Sequence, residues 1–377
     1  MKNWKIPLYK IHNDKNDLQS VTNVIKRGMD WAIGPEVEKF EKLFASYIGT
    51  KFCVSFNSGT SAGHAALLAL GIKKNDEVIV PSFSFIATAN WPLMVNAKPK
   101  FVDIEEQTLG LDPKKIESSI TKKTKAIIPI HYAGLPCQID KIKKISNDYK
   151  IPLIEDAAES VGASIRNRKV GTFGLLSIFS LAGNKVITAG EGGVIVTNSK
   201  NIFEKLKLIR SHGRQSKNYF SSTKSANYVS MGYNWRMSSI TAALSTSQLN
   251  KISKLIQMRR NNSIYMIDQL SKFDEIQPPT EPKYYRHAFQ LFSIRLPNKR
   301  IRDNLSNFLN KKGIMTKIFF EPIHMSKFYQ KNSCYSGNNL KTTEKISSEI
   351  LSLPMYPGLT TTEIDYIVNS ISKFFKY

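Results

Sequence analysis

One lysine, Lys185, stands between a serine and a glycine-rich turn in residues 179–193, which read FSLAGNKVITAGEGG. A lysine amine that is held in a confined site and sheds its proton at neutral pH can form an imine with an aldehyde cofactor. The chain holds 54 lysines and arginines, so a solvated loop lysine is the alternative interpretation. Lys185 alone is therefore not enough to predict a cofactor site, and other residues of the sequence have to point to the same chemistry.

The first support is Asp156, one of two acids that follow the apolar residues 151–154 and precede two alanines. An acid at the carboxyl end of a parallel strand lies where open α/β sheets bind ligands. There its charge can keep a pyridine nitrogen protonated, so that the ring accepts electrons. Ala158 is small enough to lie flat beneath such a ring. A helix N-cap is the alternative role for Asp156.

A candidate phosphate site lies at Ser58, Gly59 and Thr60, after the strand-like residues 52–55 and before helix-like residues. Free backbone amides at a helix start bind phosphate. By itself this signal is weak, and no Gly-Lys-Ser/Thr follows as it does in a Walker loop. Together with Ser180, the lysine and the acid, the turn completes a set of sites for a phosphate, an aldehyde and a protonated pyridine. Pyridoxal 5′-phosphate (PLP) carries all three groups.

Motifs along nearly the whole chain resemble the sugar aminotransferases of the DegT/DnrJ/EryC1/StrS family, which are fold-type I enzymes that use PLP. The matching segments are GPEVEKF (34–40), NSGT (57–60), DEVIVP (76–81), HYAGLPC (131–137), EDAAE (155–159), GYNWRM (232–237) and LSLPMYP (351–357). One departure from the family pattern is Gly63, which stands where leucine is usual.

The resemblance implies an α/β fold with two domains. We expect a large PLP-binding domain over residues 1–250, with a mostly parallel mixed sheet flanked by helices, and a smaller C-terminal α+β domain over residues 251–377. The alternation of strand-like and helix-like segments from residue 36 to residue 200 supports the parallel sheet. The polar, serine-rich residues 214–228 are either a loop near the substrate or a disordered link.

The resemblance also implies roles around the cofactor ring. Lys185 is expected to form the imine with PLP and, once released, to move a proton between the substrate carbon and the cofactor. Asp156 is expected to pair with the pyridine nitrogen, Phe85 to stack on the outer ring face, and Ala158 to pack against the inner face. Glu159 falls near the ring hydroxyl.

Around the cofactor phosphate, the resemblance implies a cradle formed by the turn at Ser58, the amides of Gly59 and Thr60, and the Ser180 hydroxyl. Asn234 is expected to join this cradle from the neighbouring subunit. If it does, the enzyme is a homodimer with shared active sites.

Trp31 and residues 319–324, which include Phe320, Glu321 and His324, lie where the family lines the sugar-nucleotide cleft, and Arg236 is a further candidate for a substrate contact. His324 could meet a phosphate or a hydroxyl group. Trp31 and Phe320 could equally be core aromatic residues, and Arg236 could form an ion pair at the dimer interface.

The segment around Lys185 is similar to that of GDP-perosamine synthase-type enzymes, which aminate the 4-keto group of a nucleotide-linked 4-keto-6-deoxy sugar. We expect glutamate as the amino donor, a GDP-linked sugar as the favoured substrate, and a role in surface-polysaccharide or O-antigen biosynthesis. A 3-keto sugar and a UDP- or dTDP-linked sugar stay open as alternatives. A sister branch of the family has histidine at the lysine position and removes a hydroxyl group, so Lys185 argues against that reaction.

Composition is compatible with a cytoplasmic enzyme. The chain has 377 residues, 41% of them hydrophobic, without an apolar run long enough to span a membrane or form a signal peptide. Its three cysteines, Cys53, Cys137 and Cys334, fit a reducing compartment, and its six histidines are scattered, so we expect no metal.

The formal net charge of +24 supports a rival hypothesis, a nucleic-acid-binding protein. Against it, the basic residues are spread along the chain, and the sequence contains no recognised nucleic-acid-binding module. We therefore expect neither nucleic acid nor membrane as a partner. A share of the charge can draw the diphosphate of a nucleotide sugar toward the cleft.

Overall fold

Helices and strands alternate through the first 210 residues of the computed structural model, which describes residues 4–215, 227–331 and 340–376. Cys334 and most of the serine-rich residues 214–228 lie outside the described residues. The helices are α1 (Lys15–Arg27), α2 (Pro35–Ile48), α3 (Gly59–Ala69), α4 (Ala87–Met94), α5 (Pro113–Ser119), α6 (Ile139–Asp148), α7 (Lys200–Arg210), α8 (Ser239–Asn250), α9 (Ile252–Leu270), α10 (Lys299–Lys311), α11 (Lys327–Gln330), α12 (Lys341–Glu349) and α13 (Thr361–Phe375). The strands are β1 (Phe52–Phe56), β2 (Glu77–Pro81), β3 (Lys98–Val102), β4 (Thr124–Ile127), β5 (Ile154–Asp156), β6 (Ser164–Ile165), β7 (Arg168–Lys169), β8 (Leu176–Ser180), β9 (Gly193–Thr197), β10 (Tyr285–Arg286), β11 (Phe292–Arg295) and β12 (Ile350–Leu353).

The central sheet is mixed but mostly parallel, as the resemblance implies. Strands β3, β2 and β4 are parallel neighbours, and β5 is parallel to β8. Parallel bridges from Ile127 to Leu153 and from Ile130 to Asp156 join the two groups. Strand β9 runs antiparallel to both β8 and β1. The sheet therefore has the order β3-β2-β4-β5-β8-β9-β1, and β9 is its reversed strand.

Helices cover both faces of this sheet, which explains why its strands are apolar almost throughout. On β9, Ile195 faces a core built with α3, α4 and α7, whereas Val194 and Val196 face a core built with α2, α8 and α9. Gly63 of α3 has a packing role here, because a Cβ at this position would lie 1.9 Å from the Trp91 ring of α4. The indole of Trp91 therefore occupies the space that a side chain at residue 63 would need.

The C-terminal residues build a separate core around the antiparallel pair β11 and β12, which is covered by α9, α10 and α13. Ile6, from the start of the chain, packs into this core, and its backbone bonds to Gly313 and Met315. The predicted domain boundary after residue 250 falls between α8 and α9 and stays a prediction. Within the described residues, no helix combines the length and apolar character that crossing a membrane requires.

Candidate functional site

A cavity of about 570 Å³ opens at the carboxyl ends of β5 and β8. This is the edge of an open α/β sheet at which ligands bind. The pairing of β5 with β8 brings Asp156 and Ser180 to the same edge of the sheet. Asp156 ends β5 opposite Ile178 of β8, and Ser180 ends β8 two residues later. Nine of the predicted cofactor residues line this cavity, namely Ser58, Gly59, Thr60, Phe85, Asp156, Ala158, Glu159, Ser180 and Lys185.

The start of helix α3 forms one wall of the cavity. Ser58 caps the helix, with its hydroxyl accepting a hydrogen bond from the Ser61 amide at 3.1 Å. The first amides of a helix have no partner within the helix, so those of Gly59 and Thr60 can serve an anion. A Cβ on Gly59 would lie 3.4 Å from the Ser180 Cβ. The arrangement of helix start, glycine and serine fits a phosphate group.

Gly193, the first residue of β9, packs directly against this turn. A Cβ at Gly193 would lie 2.2 Å from the Ser58 carbonyl oxygen and 2.6 Å from the Gly59 nitrogen. Both neighbours are backbone atoms, so the clash cannot be relieved by a side-chain rotation. The absence of a side chain at residue 193 therefore sets the position of the helix start beside Ser180.

We expect Gly193→Ala to lower the free energy of unfolding by about 1–3 kcal/mol, the usual cost of overpacking, and to weaken PLP binding because the turn must move. Urea unfolding and PLP titration measure the two effects. The control is Gly358→Ala, since a Cβ at Gly358 meets no atom within 4 Å. Equal stability and PLP affinity in the two variants would show that the turn is not constrained by Gly193.

Asp156 is buried at the cavity floor with 3% of its surface exposed. Its carboxylate accepts hydrogen bonds from the Thr88 hydroxyl at 2.6 Å and from the Ala158 amide at 3.2 Å. Burial raises the pKa of this carboxyl, although these two hydrogen bonds oppose the shift. A buried carboxylate of this kind is stabilised by a cation beside it, so the site fits a protonated pyridine nitrogen.

Lys185 enters the same cavity from the loop between β8 and β9. Its side chain is 13% exposed, and its Nζ lies 3.5 Å from Oε1 of Glu159. The other Glu159 oxygen accepts a hydrogen bond from the Ala133 amide at 3.0 Å. The side-chain amide of Gln290 donates to the Asn184 carbonyl at 2.6 Å, next to the lysine. The amine is thus confined in the cavity beside Glu159, where it can meet the aldehyde of a bound cofactor.

Two of these contacts, those of Thr88 and Gln290, are not among the interactions predicted from the sequence. Thr88, which holds Asp156, lies three residues after the predicted ring-stacking residue Phe85, and this proximity in the sequence was a usable signal. Gln290 had no such signal, because its partner Asn184 is 106 residues away in the chain.

Five predicted residues do not line the cavity of this chain within the described residues. Asn234 and Glu321 are exposed. Trp31 is 46% exposed, and its carbonyl accepts a hydrogen bond from the Ser239 amide. Arg236 donates to the Ser211 hydroxyl at 3.2 Å. The roles given to these residues stay predictions.

The fifth residue, His324, lies between the sheet and helix α12. Its Nδ1 is 2.6 Å from the Ser82 hydroxyl, and its Nε2 is 3.3 Å from Glu344. Both ring nitrogens therefore have protein partners, which leaves the imidazole in a structural contact in this chain. Its predicted contact with a substrate phosphate or hydroxyl stays a prediction.

Behind Asp156, the side chain of its chain neighbour Glu155 is fully buried and anchors a network of hydrogen bonds. It accepts hydrogen bonds from His131 Nε2, the amides of Gly171, Phe173 and Gly174, and the Ser177 hydroxyl. Burial alone would raise the pKa of Glu155, but the hydrogen bonds from His131 and the backbone amides lower it below its ordinary value. The network fixes the strand end that carries Asp156.

We expect Glu155→Gln to lower the free energy of unfolding at neutral pH by about 3 kcal/mol, because its amide group would face buried donors. The folded-state pKa of Glu155 is depressed, so its contribution is present above the unfolded pKa and is lost as pH falls through the folded pKa. The difference in free energy of unfolding between the variant and wild type should therefore shrink as pH falls from neutral to acid. The exposed Glu204→Gln is the control. A constant difference across this pH range would contradict the assignment.

The chain is similar to known proteins of one family along nearly its whole length. The model of the DegT/DnrJ/EryC1/StrS aminotransferase family matches residues 12–372. GDP-perosamine synthase of Caulobacter vibrioides is 35% identical over 346 residues, which is 91% of each chain. Helicobacter pylori PseC, an aminotransferase involved in the biosynthesis of pseudoaminic acid, is 28% identical, with a TM-score of 0.91 over all of both chains.

Another similar structure is Escherichia coli GDP-4-keto-6-deoxy-D-mannose-3-dehydratase with bound hydrated PLP. It is 28% identical, and the match has a TM-score of 0.88 over 98% of this chain and all of the other. Family, fold and a cavity that suits an aldehyde, a pyridine and a phosphate lead to one conclusion. The chain belongs to the DegT/DnrJ/EryC1/StrS family and is a PLP-dependent sugar aminotransferase.

Proposed function

We propose that this enzyme transfers an amino group from glutamate to the 4-keto carbon of a nucleotide-linked 4-keto-6-deoxy sugar, with GDP as the favoured nucleotide. The observation that carries the proposal is the confined Lys185 in its Gly-Asn-Lys segment, in a chain that is similar to GDP-perosamine synthase along 91% of its length. A product of this kind would suit surface-polysaccharide or O-antigen biosynthesis in the cytoplasm.

The proposed reaction has two halves, in which the amino group passes from glutamate to the cofactor and then from the cofactor to the sugar. In each half, one proton moves between the substrate carbon and the cofactor. PLP, when bound, supplies an aldehyde for the incoming amine and a ring that accepts electrons. Lys185 would carry that proton between the substrate carbon and the cofactor, and Glu159, at 3.5 Å, would keep the amine in place. Asp156 would keep the ring nitrogen of the cofactor protonated, and the Thr88 hydroxyl holds the Asp156 carboxylate in place. The start of α3 and Ser180 hold the phosphate.

The proposed homodimer would place Asn234 in the active site of the partner. Asn234 is exposed and lies outside the cavity of its own chain, and exposed apolar residues lie near it in sequence, Tyr228 at 58% and Met231 at 74%. Large apolar side chains of this kind are typical of subunit interfaces.

Mixing two inactive variants tests the shared site. A heterodimer of Lys185→Ala and Asn234→Ala subunits contains one site with both residues intact if Asn234 acts across the interface. We therefore expect activity to return when the two variants are unfolded, mixed and refolded together. Continued inactivity of a verified heterodimer would place Asn234 in its own subunit's site, and an active Asn234→Ala homodimer would place Asn234 outside catalysis.

The alternatives within the family are amination of a 3-keto sugar and use of UDP- or dTDP-linked substrates. Incubating PLP-loaded enzyme and glutamate with GDP-, UDP- and dTDP-linked 4-keto and 3-keto sugars separates them. We expect the GDP-linked 4-keto sugar to have the highest kcat/KM. A 3-amino product, or faster turnover of a UDP- or dTDP-linked sugar, would replace the corresponding part of the proposal.

A further inference from the structure

The outer wall of the cavity is a continuous row of aromatic side chains that ends at a lysine. Phe85 lies 6.5 Å from Phe320, ring centre to ring centre, and Phe320 lies 5.3 Å from Phe319. The Nζ of Lys317 is 5.0 Å from the centre of the Phe319 ring. All four residues line the cavity. The row therefore leads from the residue expected over the cofactor ring to a positive charge.

Lys317 has a fixed backbone and an exposed side chain. Its amide donates to the Ser352 carbonyl at 3.2 Å, and its carbonyl accepts from the Ser352 amide at 2.8 Å, which ties it to strand β12. No carboxylate among the described residues lies within ion-pair distance of its Nζ. Among the described residues, the lysine thus presents a charge without a carboxylate partner from a backbone position that is bridged to β12.

The charged side chains that line the cavity show why an anionic substrate would need Lys317. Three carboxylates, those of Asp156, Glu159 and Glu191, line it together with two lysines. Lys185 is already paired with Glu159 at 3.5 Å. An anionic substrate that enters this cavity meets more carboxylates than lysines, so it needs a cation away from the reacting carbon.

We propose that Lys317 binds the diphosphate of a nucleotide-linked sugar and is a specificity-determining residue. The sugar then lies along Phe319 and Phe320, with its keto carbon toward Lys185 and its diphosphate at the lysine end of the row. This inference rests on the proposed function, because it names the part of that substrate which the outer wall recognises.

Calorimetric titration of the PLP-loaded enzyme with GDP, UDP, dTDP and the corresponding nucleosides tests the inference without turnover. We expect Lys317→Met to weaken binding of the preferred nucleoside diphosphate by about 10- to 100-fold, as expected for the loss of a charge-assisted hydrogen bond. Lys317→Arg should retain most of the affinity. The control is Lys312→Met, which removes an exposed lysine five residues away, outside the cavity lining.

Salt dependence gives a second readout, since wild-type affinity for the diphosphate should fall more steeply with ionic strength than that of Lys317→Met. Equal diphosphate affinity in wild type and Lys317→Met would overturn the inference, as would a wild-type enzyme that binds none of the three diphosphates. Neither result decides whether amination of a ketosugar occurs. The proposed function would be contradicted by a different result, namely that the enzyme forms no aminosugar.

Discussion

Replacing Lys185 with alanine is expected to reduce kcat by at least about 10⁴-fold, because the chain then lacks both the amine that bonds to PLP and the base that moves the proton. PLP itself should still bind, since the start of α3, Ser180 and Asp156 are unchanged. The visible absorbance of the wild-type complex should be lost or shifted in the variant. Mass spectrometry after borohydride reduction should find PLP attached to Lys185 in the wild type and to no residue in the variant.

Lys254→Ala, which removes an exposed lysine on helix α9, is the matched control and should behave as wild type. The assignment of Lys185 is contradicted if reduction still fixes PLP to the Lys185→Ala protein, or if that protein keeps wild-type turnover. A variant that does not bind PLP at all would instead show that the lysine side chain is needed to build the pocket.

Asp156→Asn is expected to change activity and stability in opposite directions. Turnover should fall by at least about 10²-fold, the scale of losing one preorganised electrostatic contact, and PLP should bind more weakly. Without PLP, the variant should be more stable than wild type at neutral pH, because it removes a buried charge. The asparagine can still accept from the Ala158 amide and donate to the Thr88 hydroxyl, which can then donate to Ser84.

The pH dependence of the cofactor-free protein follows from the raised folded-state pKa of Asp156. Its favourable contribution is fully present below the unfolded pKa and is lost as pH rises through the folded pKa. Thermal unfolding should therefore show the largest gain from Asp156→Asn at neutral pH and a vanishing gain in acid. The exposed Asp148→Asn is the control. A cofactor-free Asp156→Asn protein less stable than wild type at neutral pH would contradict this account of the carboxylate.

The centre of the site could be predicted from the sequence because its residues end regular elements. Asp156 and Ser180 stand at the ends of parallel strands, which meet at one sheet edge, and Gly59 opens a helix. Contacts between distant segments could not be predicted in this way. The Gln290 bond to Asn184 and the Ser82 contact with His324 depend on how the chain folds back.

The direction of strand β9 also depends on contacts between segments that are far apart in the chain. Its residues, GVIVT, are as apolar as those of a parallel strand, and all are buried. Their composition predicts a buried strand but does not set its direction, because pairing with β1 and β8 depends on segments far apart in the chain. The mixed sheet was predicted from the family resemblance rather than from this pattern.

The most direct test of the proposed reaction is to follow the nitrogen atom. PLP-loaded enzyme is supplied with glutamate labelled with heavy nitrogen and with a GDP-linked 4-keto-6-deoxy sugar, and the sugar product is analysed by mass spectrometry and NMR. We predict one labelled nitrogen on carbon 4 of the sugar and one 2-oxoglutarate for each aminosugar. An unlabelled product, a nitrogen on another carbon, or no aminosugar from any GDP-, UDP- or dTDP-linked ketosugar would contradict the proposal.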